Sequence, residues 1–189
     1  MTQAYYLGFD AETTGINPAD SILLEIGMIA YDDQLRPLES WSSLVNADSY
    51  ADYRANGSVV DVVDEMHTKN GLWDDLAHAT EDTSSAAVEA LALAWIKEHN
   101  YHRLPMLGSS ITLDRSFLSA EMPQLLDAFH YQSVDATSLC LLAENTVGFM
   151  PADYLEEGSR SGKSHRVLAD IERSAALIRA NLKGMKANL

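Results

Sequence analysis

The sequence predicts an α/β (α+β) domain, a mixed five-stranded sheet flanked by helices. Two observations carry that expectation. Three β-type runs follow one another across residues 4–45 with short links between them, which reads as an antiparallel meander. From residue 84 onward the rhythm changes, and segments of helical periodicity alternate with short β-type runs. No repeat, low-complexity tract or linker interrupts the 189 residues, so residues 1–189 are expected to form a single domain.

Ala4–Asp10 (AYYLGFD) is the first strand, running up to the turn Thr13-Thr14-Gly15, with Asn17-Pro18 just beyond. Ile22–Tyr31 (ILLEIGMIAY) is apolar except for Glu25, as in a buried strand. Asp32-Asp33-Gln34 forms a hairpin turn into a third strand at Leu38–Val45. Ser84–Glu98 carries apolar residues at helical spacing, with Ser84 or Ser85 as its cap. Leu104–Gly108 is a short strand, and Asp114–Leu126 a helix bounded or kinked at Pro123. Tyr131–Val134 supplies the fifth strand and Ala136–Glu144 another helix. Gly148–Lys163, rich in Gly, Pro and Ser, reads as a loop, and Ser164 as the N-cap of a closing helix reaching Leu182.

Composition narrows the function classes. Thirteen Lys and Arg against 28 Asp and Glu give a net charge of −15, which speaks against a long basic groove for nucleic acid. A pocket for a strand end remains open, because bound metal ions reverse the local field of an acidic site. No apolar run approaches the roughly 20 residues that span a bilayer. The start, Met1-Thr2-Gln3-Ala4-Tyr5, lacks the basic and apolar regions of a signal peptide. Cys140 is the only cysteine, so no intrachain disulfide forms, and a cytoplasmic location is expected.

The chemistry-bearing residues fall in three places. Asp10-Ala11-Glu12 puts two carboxylates at i and i+2, on one face of an extended strand. Their mutual repulsion is relieved most directly by a divalent cation. Asp114 opens the middle helix, and His165 and Asp170 belong to SHRVLADIERS at the start of the last one. Taken singly, each has an ordinary explanation: solvated acids at a strand end, an acid favoured by the helix dipole, a histidine near a helix start.

Their combination and order are less ordinary. Asp-x-Glu on a first strand, Asp opening a middle helix and His-x₄-Asp on a last one resemble the DEDDh 3′→5′ exonucleases. Collinear stretches from Tyr5 to Ile178 are closest to the oligoribonucleases: FDAETTGINP, SILLEIGMIAYD, MHTKNGL, GSSITLDRSFL, MPQLLDAFHYQSVDATSL and SHRVLADIERS. The resemblance implies a ribonuclease H-like fold. Asp10, Glu12, Asp114 and Asp170 would hold two ions, Mg²⁺ or Mn²⁺, and His165 would act as general base. It implies short single-stranded nucleic acid, RNA or DNA, as substrate, nucleoside 5′-monophosphates as product, and a possible homodimer. By position, Ile16, His67, Ser110, Tyr131 and Thr137 are the substrate contacts it implies. For His67 the competing reading is a satisfied core or surface histidine, and for Ser110 and Thr137 ordinary loop and N-cap residues.

The departures cluster on the substrate cap. Ile16 stands where the family's apolar wedge is leucine, and Val62 where it has a stacking tryptophan. Gln132 replaces an arginine and Cys140 a lysine, so a charged bidentate contact to a terminal phosphate is lost. The expectation is relaxed length preference with the metal chemistry kept. Competing readings are a DNA-proofreading or repair DEDDh enzyme, a ribonuclease H-type endonuclease, and a non-catalytic ribonuclease H-like binding module. Trp41, Trp73 and Trp95 suit a core or an interface equally well.

Overall fold

The computed structural model of the protein describes residues 2–148 and 165–188. The strands β1 (Tyr6–Thr13), β2 (Leu23–Tyr31) and β3 (Pro37–Leu44) form the antiparallel meander. Two short strands, β4 (Pro105–Gly108) and β5 (His130–Asp135), join on the other side, β4 parallel to β1 and β5 parallel to β4. The order across the sheet is β3-β2-β1-β4-β5, which leaves β1 central.

All nine residues of β2 are buried, the expected result for a run that must suit two covered faces. One face carries Leu7, Phe9, Ile26 and Met28, packed against Val88, Ala92 and Ile96 of α4 (Ser85–His99). Phe117 and Leu118 of α5 (Thr112–Glu121) and Leu125 of α6 (Pro123–Ala128) complete that layer. The other face carries Ile29, Tyr31 and Leu107, covered by Ala136 of α7 (Ala136–Leu142) and by Ile171, Ala175 and Ile178 of α8 (Val167–Asn188). Between β3 and α4 lie three short helices, α1 (Tyr50–Ala55), α2 (Asp61–Lys69) and α3 (Leu72–Ala77). They close over Leu24 through Val59, Leu72, Trp73 and Leu76. Among the described residues no helix is long and apolar enough to cross a membrane.

The close approach of α8 depends on glycine. A Cβ at Gly27 would lie 2.6 Å from Val167 Cγ2 and 2.9 Å from Val167 Cβ, and one at Gly8 would meet Ile171 Cγ2. Gly8 is on the strand that carries the acidic motif and Gly27 pairs with Asp10 from the next strand, so the side chains they lack let α8 lie against the motif. Gly27→Ala is expected to overpack this contact and cost about 1–3 kcal/mol. A fall in Tm, accompanied by reduced activity because Val167 lies between His165 and Asp170 in the chain, would be the signature.

Most element boundaries agree with the sequence to within a few residues. Ser84 is indeed the cap of α4, accepting from the Ala87 amide at 3.4 Å. The middle helix divides at Met122, with Pro123 opening α6 where its missing amide costs nothing. The hairpin after β2 is held by the Asp32 carboxylate, which accepts from the Gln34 and Arg36 amides at 2.8 and 2.9 Å and from Arg36 Nε at 2.7 Å. Three corrections follow. First, β1 continues to Thr13, so Asp10 and Glu12 lie within the strand rather than at its end. Next, α7 ends at Leu142 and gives way to a π-helical turn, Ala143–Val147. Finally, α8 begins at Val167 and runs on to Asn188, which leaves His165 in the bend before it. The expected N-cap Ser164, and the expected loop beyond Gly148, lie outside the described residues.

Candidate active site

The central strand overhangs its parallel neighbour. β1 pairs with β4 only through Leu7 and Gly8, so its backbone beyond that point needs other partners. Asp114, in the first turn of α5, supplies one: its Oδ1 accepts from the Ala11 amide at 3.1 Å. That bond seats the Asp114 carboxylate between Asp10 and Glu12 along the chain. Asp10 pairs with Gly27 and Glu12 with Glu25 across the β1–β2 ladder, on the face that α8 covers. The register shifts between Glu12 and Thr13, a bulge of the kind that re-aims a side chain beside a site.

From the opposite side come His165 and Asp170. Among the described residues, Glu12, His165 and Asp170 form the group whose ligand atoms all lie within 4.8 Å of one another. Glu12 and Asp170 are buried, and Asp170 Oδ1 has no hydrogen-bond partner. A buried carboxylate oxygen without a donor is costly, and a cation held between Glu12 and Asp170 removes that cost. Oxygen-rich sites of this kind fit hard divalent ions. Asp170 is itself anchored, since the Ser174 hydroxyl donates to its carbonyl at 2.9 Å and lies 2.8 Å from Ser109 Oγ after β4.

His165 adopts φ +52°, the left-handed region that costs a non-glycine residue about 1–2 kcal/mol. Its carbonyl accepts from Asn70 Nδ2 at the end of α2. The next residue, Arg166, forks onto Glu25 with Nε–Oε2 at 2.9 Å and Nη2–Oε1 at 3.0 Å, and reaches Asp75 Oδ2 at 2.8 Å. Glu12 and Glu25 stand opposite each other on adjacent strands, where like charges repel. The Arg166 guanidinium compensates the second of them.

The residues expected to touch substrate separate into three outcomes. Ile16 and Tyr131 are 80% and 76% exposed, available to a ligand, and Tyr131 sits on the edge strand β5. Ser110 and Thr137 are brought together, their hydroxyls 3.0 Å apart. Asp135 rather than Thr137 caps α7, accepting from the Ser138 amide. His67 is a correction: it has no exposed surface. Its Nε2 donates to the Thr13 carbonyl at 3.0 Å and its ring meets Trp73 edge-on, so it supports the end of β1. Sequence reasoning missed this support, and it missed Asn70 and Arg166; the buried Glu25 in an apolar strand was the one signal that a cation had to meet it.

Burial holds the His67 pKa below the ordinary imidazole value, opposed by its bond to Thr13 and assisted by nearby His165. With Nε2–H donating, Nδ1 is a buried lone pair without a partner, so a second proton would create an unpaired buried charge. The unfolded chain then binds the proton more readily than the folded one. Stability is expected to be flat above pH of about 6.5 and to fall as the pH drops below it. His67→Gln should flatten that acid limb in a series of Tm measurements between neutral and mildly acidic pH.

Comparison with known proteins gives the family and the fold. A family model described as an exonuclease matches residues 7–178. The chain belongs to the exonuclease family. This exonuclease is 34% identical over 172 residues to the oligoribonuclease of Mycobacterium tuberculosis strain H37Ra, which covers 90% of this chain and 76% of that one. With the oligoribonuclease of Streptomyces avermitilis it shares 35% identity over 172 residues, covering 90% and 81%. The fold is also that of Escherichia coli exonuclease I, solved with single-stranded DNA in a zinc-bound form, at a TM-score of 0.62 and 16% identity. That match covers 98% of this chain and 42% of exonuclease I, so the exonuclease spans about two fifths of the larger protein. The ribonuclease H-like sheet expected from the sequence motifs is therefore present, and the protein is a 3′→5′ exonuclease, a hydrolase of phosphodiester bonds.

Proposed function

We propose that the protein removes nucleotides from the 3′ end of short single-stranded oligonucleotides, RNA or DNA, and releases nucleoside 5′-monophosphates. The observation that carries this reading is the convergence of Glu12, His165 and Asp170 on one point, with Asp170 Oδ1 buried and unpartnered. Asp10, Glu12, Asp114 and Asp170 would hold two divalent cations, Mg²⁺ or Mn²⁺. When bound, the cations would supply Lewis-acid charge for the attacking and leaving oxygens of an in-line displacement. His165 takes the proton of the attacking water, a task suited to an imidazole near neutral pH. The bond from water oxygen to phosphorus forms as the bond from phosphorus to the 3′ oxygen breaks, and that oxygen leaves protonated on the shortened strand.

Ile16 and Tyr131 present apolar and aromatic surface to the bases, and the Ser110–Thr137 hydroxyl pair offers donors to a phosphate. His67 contributes indirectly, through the Thr13 carbonyl. Gln132 and Cys140 stand where the resemblance implies an arginine and a lysine, which favours a loose length preference over a closed dinucleotide cap. The proposal includes one domain across residues 1–189, a cytoplasmic setting and a homodimer.

The test is hydrolysis of 5′-labelled RNA and DNA from dinucleotide to long oligomer, with Mn²⁺ and with chelator. Metal-dependent trimming with a shallow length profile agrees with the proposal. A steep optimum at two nucleotides would show that other residues rebuild the cap. No hydrolysis of any substrate by folded, metal-supplied protein would point to a binding module instead.

A further inference from the structure

We infer that Asn70, Arg166, Glu25 and Asp75 form a clamp that sets the catalytic position of His165, a role that rests on His165 being the general base. His165 stands outside α8, so the helix does not orient it. Two fixed contacts do. The Asn70 side chain donates to the His165 carbonyl, and the neighbouring Arg166 is gripped by Glu25 of β2 and Asp75 of α3. Together they hold the backbone at His165 in its left-handed conformation, φ +52°. The grip comes from three separate places, the C-cap of α2, α3 and β2, and β2 is hydrogen-bonded to the strand that carries Asp10 and Glu12. The clamp thus references the histidine to the carboxylates rather than to the helix behind it.

The geometry also gives the α2–α3 region a purpose beyond closing over Leu24. Asn70 spends both ends of its amide: Oδ1 accepts from the Leu72 amide at 3.0 Å, starting α3, while Nδ2 holds His165. Glu25 is 6% exposed and accepts both arms of the fork, so a lysine in place of Arg166 would keep the charge and lose one of the two contacts. These are positioning residues, acting on the reaction through His165.

Asn70→Asp separates the two duties, because the carboxylate still caps Leu72 but cannot donate to the His165 carbonyl. With Mn²⁺ and a short labelled oligonucleotide, kcat is expected to fall about 10- to 100-fold, the size of effect that misplacement of a catalytic group by an ångström produces. KM and Mn²⁺ affinity should change less than about 3-fold, within the spread of a contact that touches neither substrate nor metal. Arg166→Lys, read beside it, should show the same kcat-only loss, smaller in size, with Tm close to that of the parent. His165→Ala is run in parallel. If it is inactive while Asn70→Asp keeps kcat within about 2-fold, the clamp is overturned and the base assignment stands. If His165→Ala retains near-normal kcat, the base assignment itself fails and the clamp falls with it. Loss of Mn²⁺ binding in Asn70→Asp would also contradict the clamp, assigning the residue to the metal site.

Discussion

Asp170→Asn is expected to abolish metal-dependent hydrolysis, with a loss of about 10³-fold or more. The change keeps the shape of the side chain and removes the charge whose Oδ1 is buried without a donor. Charge stabilisation by bound metal is worth several kcal/mol, and each 1.4 kcal/mol or so is a factor of ten. The stability of the same variant gives a second, opposite sign. In chelator, replacing one of several crowded carboxylates by an amide relieves repulsion, so Tm should be unchanged or higher than in the parent. On adding Mn²⁺ the parent should gain stability by binding and the variant should gain little. An Asp170→Asn protein that Mn²⁺ stabilises as much as the parent would remove Asp170 from the ligand set.

His165→Ala is the second large effect. Loss of a general base lowers kcat by about 10²–10⁴-fold. The fold should persist, since His165 lies in a bend before α8 and is only half-buried. Because His165 offers an atom within 4.8 Å of those of Glu12 and Asp170, the variant also distinguishes a base from a ligand. Unchanged Mn²⁺ affinity with depressed kcat identifies a base. A parallel fall in Mn²⁺ affinity would make the imidazole a ligand, and near-normal turnover would remove it from the mechanism.

The fold was legible where periodicity was strong. The strand β2, apolar but for Glu25, and the capped α4 announce themselves, and the collinear motifs carried the ribonuclease H-like architecture. The helices α1–α3 were not legible, for a physical reason. They are 6, 9 and 6 residues long, too short to display a helical period, and α1 buries no residue while α2 buries only His67. Asp10, Glu12, Asp114, His165 and Asp170 were named through the resemblance that their motifs carry, and the structure brings the ligand atoms of Glu12, His165 and Asp170 together. Their support could not be named in this way, because it depends on contacts between residues far apart in sequence. Nothing local to Glu25 reveals that Arg166 will fork onto it, nor does the sequence show that Asn70 will hold the His165 carbonyl. His67 shows the converse. Its motif suggested a substrate contact, but Trp73 and the Thr13 carbonyl enclose it.

The most direct test of the account is the product pattern from a 5′-labelled RNA pentamer with Mn²⁺, with chelator, and with Asp10→Ala protein. The expected result is a ladder shortened one nucleotide at a time from the 3′ end. It should release nucleoside 5′-monophosphates and be absent with chelator or with the variant. Internal cleavage, nucleoside 3′-monophosphates, or trimming that survives chelator or Asp10→Ala would contradict it.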